Sequence, residues 1–190
     1  KSFAALTGMG ESPPLNQTLS VKGDFVPPSH HKEIARFLAE QTKGNPSVHE
    51  YRDDNGNRPL PVGCFGGALF STIGVCDIEL DLPPGCFEFV AFGKSKWISN
   101  ALVTSVYWLK CRTFSQWPLV CEDAVRKNSK NNYRHMAYIP SPFKLLLSNG
   151  KNIQWLLGVP VADSDIGLSA EKILQKAKSI YPEWFFNVAA

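Results

Sequence analysis

Apolar and polar positions along this chain repeat with two different periods. Around residues 70–92, FSTIGVCDIELDLPPGCFEFVAF, the period is two: Asp77, Glu79 and Asp81 alternate with Ile78, Leu80 and Leu82. Successive strand side chains point to opposite faces, so this pattern predicts a strand with three carboxylates on one face and three aliphatics on the other. Pro83, Pro84 and Gly85 break it, because Pro has no ladder donor and Gly supplies turn geometry. Residues 86–92 are apolar except for Glu88, as in a strand covered on both faces. The stretch reads as a central hairpin or two adjacent strands.

Helical spacing appears three times. Over 30–41, Ile34, Phe37, Leu38 and Gln41 mark one face, with Ser29 placed to cap the start and Gly44 and Pro46 to end it. Over 97–110, Trp97, Ile98, Ala101, Leu102, Ser105 and Leu109 share a face, widened by Val106 and Trp108, so this helix should lie on the sheet. Over 169–181, Ile173, Leu174, Ala177, Ile180 and Tyr181 form the apolar stripe, opposite Lys172, Gln175, Lys176 and Lys178. Pro182 ends that helix, and Trp184, Phe185 and Phe186 are expected to tuck into the core.

The remaining strands are shorter or more broken. Residues 47–51 predict a short strand, and DDNGN at 53–57 a hairpin tip. Residues 60–75 carry Gly63, Gly66, Gly67 and Gly74 and read as one glycine-tolerant strand with a bulge. Residues 117–120 suggest an edge segment. Residues 133–139 predict a strand stopped by Pro140, Ser141, Pro142 and Phe143. The run Trp155, Leu156, Leu157, Val159 and Val161 puts 153–161 at the centre of the sheet, after a turn at 148–152. Residues 163–165 form an acidic turn. Residues 1–28, rich in Gly, Pro and Ser, read as an irregular arm, leaving 29–190 as the domain.

Composition changes this picture little. The chain has 190 residues, 44% hydrophobic and 12 Phe, 5 Trp and 5 Tyr among them, enough for one well-packed domain. A net charge of +3 gives no basis for a nucleic-acid partner. The basic run RKNSKNNYRH at 126–135 holds a single Tyr, too little aromatic interleaving for a single-strand platform, and reads as a solvated loop. Neither terminus carries an apolar run of membrane-spanning length. Five cysteines, an odd number set mostly in apolar runs, point to reduced thiols and a cytoplasmic protein. Position 1 is Lys, which leaves open an exported form with a removed leader, and one or two disulfides with it.

Candidate chemistry is sparse. No phosphate-cradling glycine motif, nucleophile elbow, HExxH or kinase signature is present. Cys76 or Cys64 with His135 could be assembled into a small cysteine hydrolase, but no spacing selects that set, since such sites are recognised by geometry. His30 and His31 are adjacent, and adjacent helical positions point in different directions, so they do not make the i, i+4 zinc pair. His49 and His135 read as structural. No catalytic residue, metal ligand or cofactor is therefore assigned. The row Asp77, Glu79 and Asp81 on an exposed strand, with Asp163 and Asp165, is the candidate partner-binding surface, because edge charges steer partners and an accessible edge accepts an added strand.

Five segments in order resemble the suppressor-of-fused domain family in its short bacterial form. They are FSTIGVCD at 70–77, CFEFVAF at 86–92 with its Glu88, the helix at 97–109, HMAYIPSPF at 135–143, and WLLGVPVADSD at 155–165 followed by a helix. Each is weak alone, and the ordered set spans roughly residues 32–186. Ala162 and Asp165 depart from the family's Ser and Glu, and the acidic run 77–81 is particular to this chain. The resemblance implies an α+β domain with a mixed, mostly antiparallel central sheet flanked by helices. It also implies a non-enzymatic role. Family members grip an extended peptide in animals, and the short bacterial forms are thought to neutralise a cognate polymorphic or secretion-system toxin by direct protein–protein contact. The expected partner is thus a cognate toxin or an extended peptide, the general alternative being a peptide-binding scaffold without any toxin.

Overall fold

The computed structural model describes residues 27–52, 59–114, 116–125 and 132–187. The readings made for 1–26, for the tip at 53–57 and for the core of the basic run at 126–131 lie outside these residues. Seven strands form one sheet: β1 (Ser47–Tyr51), β2 (Leu60–Phe65), β3 (Leu69–Thr72), β4 (Cys86–Phe92), β5 (Leu119–Cys121), β6 (His135–Leu146) and β7 (Asn152–Val161), in the spatial order β1-β2-β3-β4-β7-β6-β5. Only the β4–β7 pairing is parallel; the others described are antiparallel. The fold is α+β with a mixed, mostly antiparallel sheet.

Helices cover both faces. α1 (Ser29–Thr42) and α3 (Ala170–Ile180) lie on one face, where Ile34, Leu38, Ile173 and Ala177 join Trp155, Leu157 and Val159. α2 (Trp97–Leu109) covers the other, where Ile98, Leu102 and Val106 join Phe89, Ala91, Tyr138 and Leu156. This two-sided cover is why β4 and β7 read as nearly continuous apolar runs, with β7 between β4 and β6. A 3-10 turn at Glu183–Asn187 buries Phe185 against Phe92 and Phe143, with ring centroids at 4.8 and 4.7 Å, while Trp184 stays 41% exposed at the edge of Phe92.

Four sequence expectations are corrected. Residues 60–75 are two strands, because Gly66 and Gly67 take positive φ angles of 55° and 73° and reverse the chain between β2 and β3. β6 continues through its prolines. Pro140 and Pro142 cannot donate, and the register shifts between Pro140 and Lys144; the Gln154 side chain of β7 fills the gap, its Nε2 donating to the carbonyls of Ser141 and Phe143 at 2.7 and 3.2 Å. Ser29 does not cap α1. The helix begins at Ser29 after Pro28, whose carbonyl accepts from His31 N–H at 3.1 Å. The alternating acidic strand does not form: after Thr72 the chain leaves the ladder, coils into a 3-10 turn at Val75–Asp77, and runs over 78–85 as neither helix nor strand.

Candidate metal centre

The departure of residues 73–77 from the ladder has an identifiable cause. Glu88 points inward from β4 and is fully buried. Its carboxylate accepts from Thr72 Oγ1 at 2.6 Å, Gly74 N at 2.8 Å and Cys76 N at 3.2 Å. Burial pushes its pKa up, and these donors pull it partly back. Two backbone N–H groups that a continuing strand would have given to a neighbour are thus taken by one side chain, which fixes the turn. Gly74, at φ 101°, supplies a conformation that side-chain-bearing residues rarely adopt. A Cβ there would also sit 2.4 Å from the His31 ring, so the same glycine makes room for that imidazole.

The turn delivers Asp77 to the start of α1. His30 Nε2–H and His31 Nε2–H both donate to Asp77 Oδ2, at 2.8 and 2.9 Å. The two rings meet edge to face, centroids 4.6 Å apart. Adjacent helical positions diverge at Cβ, but the imidazoles reach back to one oxygen lying in the angle between them. Donor atoms of all three residues lie within 4.8 Å of one another. The site is sheltered but not sealed: His31 is 4%, Asp77 14% and His30 17% exposed. Lys151 Nζ stands 4.0 Å from Asp77 Oδ1, as does Cys76 Sγ. Burial, then the charges of Glu88 and Asp77, hold the Cys76 thiol well above its ordinary range.

The predicted partner residues do not form one surface. Asp77 faces His30 and His31. Glu79 and Asp81 are exposed on the irregular run 78–85. Asp163 accepts from His135 Nε2–H at 2.6 Å and stands 3.7 Å from Arg134 Nη1, its side chain 71% exposed. Asp165 accepts Ala162 N–H at 2.8 Å and pairs with Lys176. β4 begins opposite Ile153 while Val161 precedes the Asp163 turn, so the two acidic groups lie toward opposite ends of β7, whose eight residue steps from Ile153 to Val161 rise about 26 Å.

The same geometry separates the cysteine–histidine pair. His135 pairs with Val161, at the end of β7 remote from Cys76, and its Nδ1 accepts from Asp123 N–H at 3.0 Å. Cys64 lies on β2, four strands from β6, or about 19 Å at ordinary strand spacing. Neither thiol meets His135. All five cysteines are free.

The sequence reading missed the convergence of His30 and His31 on Asp77. The signal available was the neighbouring His pair at a helix start; nothing local in sequence brings a residue 46 positions away to it.

No family model matches the chain. No curated protein matches it either. Among solved structures, the chain is similar to one described as the Sufu-Fu complex, with a TM-score of 0.44 and 11% identity over 75% of this chain and 72% of that one. Among the described residues, no helix is long and apolar enough to cross a membrane.

Proposed function

We propose that this chain is a non-enzymatic, protein-binding domain of the immunity type, which neutralises a cognate toxin by direct contact along the β1 edge of its sheet. The observation that carries the reading is β1 itself. Among the described residues it pairs only with β2, and Ser47, Val48, His49 and Glu50 are all exposed, the apolar Val48 by 48%. A strand that faces solvent on both sides and along one edge offers a row of backbone donors and acceptors to an added strand. The five resembling segments support the family side of the reading: they fall on β3 and its turn, β4, α2, β6, and β7 with its following turn, so they belong to one sheet and one covering helix.

The test is co-expression with the toxin encoded beside this chain's gene. Growth rescue, together with a one-to-one complex on size exclusion, supports the proposal. Absence of rescue with no complex overturns it. A peptide-binding scaffold without a toxin would use the same edge; binding of an extended peptide with no rescue identifies that case.

A further inference from the structure

We propose that His30, His31 and Asp77 form a binding site for a borderline divalent transition cation, zinc foremost, that ties the start of α1 to the turn after β3. Two imidazole nitrogens and one carboxylate oxygen are a donor set that first-row divalent ions accept, and three protein ligands leave further positions for water. Two of the three donor separations are close to those of a filled site. The imidazole–carboxylate separations are 2.8 and 2.9 Å. Ligand bonds of about 2.0–2.1 Å put neighbouring donors about 3.0 Å apart around an octahedral ion and about 3.3 Å around a tetrahedral one. The carboxylate oxygen moves out by a few tenths of an ångström, and the two Nε2 atoms, already within 4.8 Å of one another, take a similar separation, to admit the ion where the two Nε2 protons stood.

Independent features of the fold hold the set in place. His31 is packed against Gly74, where no Cβ is tolerated, so its ring position is fixed by the turn. Glu88 fixes that turn from beneath through two backbone N–H groups. The ligands come from two elements far apart in sequence, so a bound ion closes a loop of nearly fifty residues. Lys151 opposes the ion, but its ammonium is 4.0 Å from the other carboxylate oxygen and half exposed, where solvent screens it.

The experiment is zinc titration of the purified full chain against a chromophoric chelator, paired with thermal unfolding. Cys111→Ser is used as the background, because Cys111 is an exposed thiol that could itself take zinc. The expected result is one zinc per chain, with a rise in Tm on saturation. His30→Ala should weaken binding more than about 100-fold, beyond the upper end of what loss of an outer-shell partner costs. Asp77→Asn keeps a carbonyl acceptor for the histidines and so guards against a folding defect; it should weaken zinc binding while leaving the metal-free Tm within a few degrees. Absence of stoichiometric binding at micromolar zinc overturns the proposal. So does binding that His30→Ala and Asp77→Asn leave unchanged.

Discussion

Replacing Glu88 with Ala tests the claim that one buried carboxylate shapes the turn and through it the site. The substitution leaves Gly74 N–H and Cys76 N–H without their acceptor in the interior. The Thr72 hydroxyl has another neighbour, the Phe89 carbonyl at 3.5 Å, so its loss is smaller. Each orphaned buried N–H costs about 1–3 kcal/mol. Removal of a buried carboxyl's own desolvation penalty offsets part of this, for a net loss of about 2–5 kcal/mol. In a chain of 190 residues that lowers Tm by about 4–20 °C. Glu88→Gln keeps an acceptor oxygen and should lose less. The two variants also differ from wild type in pH dependence. The Glu88 pKa is raised in the folded state, so between its unfolded and folded values the native chain holds a proton that the unfolded chain has released. Stability then falls as pH rises through that window, and Glu88→Gln should flatten the decline. The assay is denaturant unfolding at several pH values. A Glu88→Ala chain within about 1 kcal/mol of wild type refutes the reasoning.

Three further outcomes follow from the packing and the thiols. Gly74→Ala should lose about 1–3 kcal/mol from its φ of 101° alone, and more from the displaced His31 ring, seen as a lower Tm and an altered His31 imidazole resonance. Phe185→Ala should cost about 3–5 kcal/mol, because the ring is fully buried against Phe92 and Phe143; chemical denaturation measures it. A thiol reagent near neutral pH should label exposed Cys111 first, with Cys121, raised to about 12 by burial, and Cys76, raised by burial, among the slowest; peptide mass spectrometry reads the order.

Much of the fold was legible because its strongest signals are hydrophobic periods over long, uninterrupted segments. α2, α3, β4 and β7 are each set by burial of a stripe or a run, and the structure places them within a residue or two of their patterns. Two of the failures share one cause, a side chain acting across the fold, whereas the reversal at Gly66 and Gly67 and the helix start at Ser29 are local backbone matters. Gln154 carries β6 past Pro140 and Pro142, where local sequence reads as a stop. Glu88 withdraws the ladder donors of Gly74 and Cys76, so Asp77, Glu79 and Asp81 lose the strand that their alternation predicts. The His30–His31–Asp77 contact was invisible for the same reason: its geometry depends on the Glu88 turn, which depends on β3 and β4 already being paired. β1 was legible as a strand, but its place at the sheet edge is a property of topology.

Hydrogen exchange of the amides in Ser47–Tyr51, free and in complex with the toxin, tests the proposed binding edge most directly. Strand addition at β1 predicts slowed exchange confined to this strand and its immediate surroundings, together with loss of the complex on Val48→Pro, since proline removes a backbone donor and its ring obstructs an added strand. A complex that forms with unchanged exchange across Ser47–Tyr51, and that Val48→Pro leaves intact, would contradict it.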